Sequence, residues 1–158
     1  MEKNNDMNDK YNVYLFPAVL KNKLLNNELS FPNHTEYKYN KIWAYRCIER
    51  KKEDDTPINR TDFYSNIEEF KIKGKKINKK RGQQLPEDDI RCYATSLYTN
   101  RDTIEIMMYL PRPSKKICSG YVFMEGGPQA TDDEHINWWI YEEIDLSQFS
   151  IEKGEKNE

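Results

Sequence analysis

No stretch of this 158-residue chain is apolar for long enough to span a bilayer, and its opening MEKNNDMNDK lacks the apolar centre of a secretory signal. The expectation is a soluble, cytoplasmic protein with no membrane partner. Cysteine is scarce: Cys47, Cys92 and Cys118 are widely spaced and form no CxxC pair. With His34 and His135 the only histidines, a structural zinc site is not expected, and the thiols read as small buried groups in a reducing compartment. Glycine is also sparse, at six residues, and its one cluster, EGGPQ, fits neither a Walker nor a dinucleotide-binding fingerprint. GxSxG is absent, so the sequence offers no nucleophile elbow. Neither charge sign dominates: 25 Lys and Arg face 27 Asp and Glu, a balance unlike the basic footprint of a general nucleic-acid coat.

Aromatics are abundant. They make up 13% of residues, against 37% hydrophobic overall and a mean hydropathy of −1.01, so a small core must draw much of its buried area from Trp, Tyr and Phe. The length predicts one domain, residues 11–151, between polar disordered tails at 1–10 and 152–158. FPAVLKNKLLNNELSF reads as a helix starting at Pro17. NKIWAYRCIER is the clearest strand, with both faces covered as in the interior of a sheet. RTDFYSNIEEFKI reads as a helix capped by Thr61, and residues 90–98 as a strand. Asn100 or Thr99 caps a helix over 101–110 that Pro111 ends. KKICSGYVFME is a strand in which Gly120 marks a bulge or a close backbone approach. GGPQATDDEH reads as a loop, INWWIYEE as an ordered segment, and IDLSQFSIE as a last strand. The sum is α+β: a mixed or antiparallel, split sheet, with helices mainly from the N-terminal half.

Three features carry chemistry. Arg46 shares a strand face with Ile42, Ala44 and Ile48, so its guanidinium lies at or inside the core. Because it cannot discard its charge, it needs an anion or several acceptors there. Thr95 and Ser96 end a strand ahead of a helix N-terminus, with Tyr98 beside them, and point to opposite faces, so one at most lines a given pocket. Glu142 and Glu143 follow Trp138, Trp139 and Tyr141, whose apolar rings would raise a carboxylate pKa or demand a partner. Asp132, Asp133, Glu134 and His135 read as a solvated loop rather than a metal site. The basic run from Lys71 through Lys79, Lys80 and Arg81 reads as a surface segment, with a phosphodiester contact as the sharper alternative.

In order, an Arg on an early strand (IWAYRCIE), a Thr-Ser pair (CYATSLY) and a late Glu before a strand (YEEIDLSQF) resemble ADP-ribosyltransferases of the Arg–Ser–Glu type. The resemblance implies a split sheet with NAD, consumed as substrate, in its central cleft. It assigns a phosphate or ribose contact to Arg46, the nicotinamide side to Ser96 with Thr95, and ring stacking to Tyr98 or to a Trp of NWW, Trp138 or Trp139. Glu142 or Glu143 becomes the catalytic carboxylate, steadying an oxocarbenium-like transition state. Ala94 stands in the first place of the family's Ser-Thr-Ser run, and no Glu or Gln lies two residues before either Glu. A second class stays open: a non-catalytic protein-binding module, inhibitor-like or antitoxin-like, anchored by Trp138, Trp139 and Tyr141.

Overall fold

The computed structural model describes residues 10–77 and 85–152. The expected tails fall outside these residues except for Lys10 and Glu152. Glu152 is held in place, its N–H donating to Ile117 O at 2.8 Å and its carboxylate meeting Arg101 Nε at 2.7 Å.

Among the described residues, six strands form one antiparallel sheet and three short α-helices pack around it. The strands are β1 (Ile42–Glu49), β2 (Thr95–Tyr98), β3 (Lys115–Val122), β4 (Gln129–Asp132), β5 (His135–Trp138) and β6 (Ser150–Ile151), in the spatial order β4-β5-β2-β1-β3-β6. The helices are α1 (Ala18–Leu25), α2 (Asn66–Lys73) and α3 (Arg101–Met107). The α+β expectation holds, and two of the three helices lie in the N-terminal half.

β1 is central, as its two-sided apolar pattern predicts. It pairs along its whole length with β3, from Ile42↔Val122 to Glu49↔Lys115. On one face Ala44, Ile48, Cys118 and Val122 meet Phe63, Leu97, Ile136, Trp138 and Phe149 in the main core. Gly120 sits beneath Phe149: a Cβ there would lie 2.6 Å from the ring, which is the close approach its position in the strand suggested. A second cluster joins Phe16, Leu20 and Leu24 to Ile67, Tyr93, Ala130 and Trp139. Trp138 and Trp139 therefore serve different cores, because successive residues of extended chain point opposite ways.

Several boundaries differ from the sequence reading. The helix expected from Thr61 is broken by extended Tyr64 into a 3-10 turn, Arg60–Phe63, and α2. Asn59 and Ser65 are the caps, and Ser65 with Glu68 forms a reciprocal capping box whose S-x-x-E signal is present in the sequence. Ile90–Tyr93 is a 3-10 turn capped by Asp89, so β2 spans only Thr95–Tyr98. The loop expected over GGPQATDDEH contains β4, which turns at Asp133 into β5. The last strand shrinks to Ser150–Ile151. Beside it, the Gln148 side-chain amide takes the place of a strand, accepting from Tyr121 N and donating to Tyr121 O, both at 2.9 Å.

Candidate functional site

A break in the sheet builds the site. β1 and β2 are joined at a single residue pair, Tyr45↔Tyr98, in contrast to the eight pairs between β1 and β3. Beyond that pair Arg46 bridges the strands, donating from Nη1 to Ser96 O at 2.8 Å. Its Nε donates to Asp62 O at 2.9 Å and its Nη2 to Tyr64 O at 3.3 Å, with Cζ 5.4 Å from the Phe63 ring centroid. Sequence reasoning placed this guanidinium at the core and required an anion or several acceptors; the acceptors are three main-chain carbonyls. Among the described residues no carboxylate pairs with it, and burial pushes its pKa down. Each terminal nitrogen retains one further N–H.

Arg46 borders a cleft of about 290 Å³, together with Tyr64, Asn66, Arg91, Ser96, Asp132, His135 and Asn137. Ser96 and His135 come from neighbouring strands, and Ser96 Oγ lies 2.5 Å from His135 Nε2. The His135 ring rests on Tyr98, with centroids 4.9 Å apart. Burial lowers the His135 pKa against the opposing pull of Asp132, its cross-strand partner, so the imidazole is neutral at neutral pH. Asp132 itself faces His34, Oδ1 to Nε2 at 3.1 Å.

The cleft depends on the turn before α2, which supplies the Asp62 and Tyr64 carbonyls. That turn is anchored from β1's end by buried Arg50, which grips both oxygens of the Asp62 carboxylate at 3.2 and 2.6 Å and donates to Thr56 O and Pro57 O.

The sequence candidates separate in space. Arg46 and Ser96 share the cleft. Thr95 points the other way, is fully buried, and donates from Oγ1 to Phe63 O. Tyr98 supports His135 from the adjoining position. The N-terminus of α3, capped by the Asn100 side chain, does not border the cleft. Glu142 and Glu143 are exposed on the turn after β5, outside the cleft; Glu142 lies 3.9 Å from Arg60 and its N–H donates to Leu15 O. The apolar setting expected around them is absent, because Trp138 and Trp139 turn inward into two cores and leave the carboxylates at the surface.

The aromatic surface expected at Trp138, Trp139 and Tyr141 is likewise not found. Both tryptophans are wholly buried, and the half-buried Tyr141 packs on Phe16 at 4.9 Å. Acrylamide quenching should therefore reach only Trp43, which is 44% exposed. Full quenching of all three tryptophans in the folded protein would contradict this packing. His135, which sequence reading placed in a solvated loop, is the site residue that reading missed. The only available signal was the alternation of QATD and HINW around a two-residue turn.

Elsewhere, Lys71, Lys73 and Lys75 are ion-paired with Glu87, Glu69 and Glu49; Lys79, Lys80 and Arg81 lie outside the described residues. A larger concavity of about 1,040 Å³ runs along the β3–β6 edge past Ile58, Leu146 and Phe149. Several of its charged groups already have partners: Arg101 holds Glu105 and Glu152, and Lys116 donates to two carbonyls. Among the described residues no three His, Cys, Asp or Glu side chains are grouped to hold a metal ion, and no helix is long and apolar enough to cross a membrane. No family model matches the chain, nor does a curated protein or a solved structure.

Proposed function

We propose that the Arg46 cleft binds a small anionic ligand, with a phosphate-bearing nucleotide of the NAD class as the first candidate. The observation that carries this reading is Arg46: a permanent cation at a cleft wall, compensated by carbonyl dipoles and by no described carboxylate. The cleft volume lies near the lower end of the roughly 300–1,000 Å³ typical of small-molecule sites. It suits one end of a ligand better than an enclosed dinucleotide. ADP-ribosyl transfer is the finer reading. It draws support from Arg46 and Ser96 sharing one cleft, and lacks a carboxylate from Glu142 or Glu143 beside them.

Calorimetric titration of the full chain with inorganic phosphate, ADP-ribose and NAD at low salt tests the binding. Replacing a charge-assisted hydrogen bond removes about 1.5–3 kcal/mol, so Arg46→Gln should weaken binding at least roughly tenfold. Near-ultraviolet circular dichroism checks that the variant stays folded. Glu142→Gln/Glu143→Gln should bind as the parent does; nicotinamide release by the parent and not by this variant would show NAD cleavage that needs one of the two carboxylates, by transfer or by hydrolysis. Absence of heat for all three ligands at millimolar concentration removes the proposal.

The protein-binding reading no longer has a tryptophan surface. What favours it is the exposed apolar end of α3 and its following turn, where Ile106, Met107 and Tyr109 are 74%, 51% and 82% exposed.

A further inference from the structure

We propose that Ser96 and His135 form a nucleophile–base pair that cleaves a small carboxylic ester in the Arg46 cleft. The inference deepens the anion-binding reading and rests on the same cleft being a ligand site. Three requirements of serine acyl transfer meet there without any sequence motif to announce them. The hydroxyl and the imidazole are within hydrogen-bonding distance, Oγ to Nε2 at 2.5 Å. The imidazole is neutral at neutral pH, so Nε2 is free to accept the Ser96 proton once the tautomer carries its hydrogen on Nδ1. The Arg46 guanidinium borders the same cleft, and each of its terminal nitrogens has a further N–H that no described residue accepts, a donor for developing negative charge. The charged groups around His135 are Asp132 from β4, Arg46 from β1 and Arg91 from the turn before β2. Asp132 acts on the ring through space, not by a direct hydrogen bond.

The steps follow from these positions. Ser96 Oγ attacks the ester carbonyl carbon as its proton passes to His135 Nε2, and the carbonyl π pair moves onto oxygen as an oxyanion held by Arg46. Collapse breaks the bond to the alcohol oxygen, which takes the proton from Nε2 and leaves an acyl ester on Ser96. Water then attacks that ester, giving its proton to Nε2. The carboxylic acid departs and the proton returns to Oγ. The sum is ester plus water to acid plus alcohol. The product carboxylate is itself an anion for Arg46, which makes one cleft serve both readings.

The test is covalent labelling of the full chain with a fluorophosphonate, followed by intact-mass measurement and peptide mapping. One adduct on Ser96 is expected, absent in Ser96→Ala. General-base assistance contributes about 10²–10⁴-fold, so His135→Asn should slow labelling at least about 100-fold. The parent rate should rise with pH through a midpoint below the ordinary histidine value. An unlabelled Ser96 in the folded parent, or equal rates in the parent and His135→Asn, would overturn the proposal. Phosphate titration separates the two claims: binding without Ser96 labelling sinks the nucleophile alone, and labelling without phosphate binding sinks the anion reading alone. Should Ser96→Ala fail to fold, the peptide map of the parent still decides.

Discussion

Arg50→Met is expected to lower folding stability by about 3–5 kcal/mol, the range for removing one partner of a buried ion pair. The Arg50 side chain is 4% exposed and that of Asp62 10%. Its loss strands the Asp62 carboxylate with the Asn59 N–H as its remaining donor, and deprives the Thr56 and Pro57 carbonyls of theirs. A domain of this size has about 5–15 kcal/mol in total, so the variant approaches the threshold of folding. Urea unfolding followed by tryptophan fluorescence measures the loss. Arg50→Met/Asp62→Leu should recover much of it, because the cost lies in the unpaired charge rather than in the missing attraction. Lys75→Met, at an exposed pair with Glu49, should cost less than about 1 kcal/mol. A single-variant loss that small at Arg50 would show the pair to be dispensable. The variant also loosens the turn whose Asp62 carbonyl holds Arg46, so anion binding should weaken before global unfolding does.

Gly127→Ala is expected to abolish cooperative folding, at a cost above about 4 kcal/mol. Gly127 has φ +134, and a Cβ there would lie 2.0 Å from Trp139 O and 3.0 Å from Trp139 C, both main-chain atoms that cannot rotate away. The Gly127 carbonyl also accepts from Tyr39 Oη at 2.6 Å and from Trp138 Nε1 at 3.2 Å, so any shift of this residue unsettles both neighbours. Gly74→Ala is the control. Gly74 is left-handed too, at φ +76, with nothing within 4 Å, and its cost should stay near the backbone preference of about 1–2 kcal/mol. Soluble yield and thermal unfolding compare the two. Equal losses would mean that backbone strain, not collision, governs Gly127.

How far the sequence could be read depends on the range of the interactions involved. The strand IWAYRCIE was legible because its alternation on two apolar faces is a property of eight consecutive residues. The helix read as starting at Pro17 begins one residue later, with Pro17 as its N-cap. Of the two caps read for α3, Thr99 or Asn100, the chain uses Asn100; both signals are local for the same reason. β4 was not: QATD between a Gly-Gly-Pro turn and an acidic turn has little propensity of its own and becomes a strand because β5 lies beside it. The resemblance to ADP-ribosyltransferases placed Arg46 and Ser96 together, and they do share a cleft. It also set Glu142 or Glu143 beside them, and those residues lie outside it. Being next to two tryptophans in sequence did not give either Glu an apolar setting, since alternate side chains of an extended segment leave in opposite directions.

The chain's own order of residues determined that Arg46 would stand on a core-facing strand position with a charge needing compensation. It marked Gly120 as the site of a bulge or a close backbone approach, of which the Phe149 ring makes the second. Both follow from local periodicity and from the chemistry of single side chains. Tertiary structure alone decided that main-chain carbonyls, and no described acid, surround that guanidinium, and that His135 reaches Ser96 from a strand 39 residues away. Those outcomes depend on where β1 and β2 separate and which hairpin closes the gap. Such long-range pairing is set by the packing of the whole sheet, and no window of the sequence contains it.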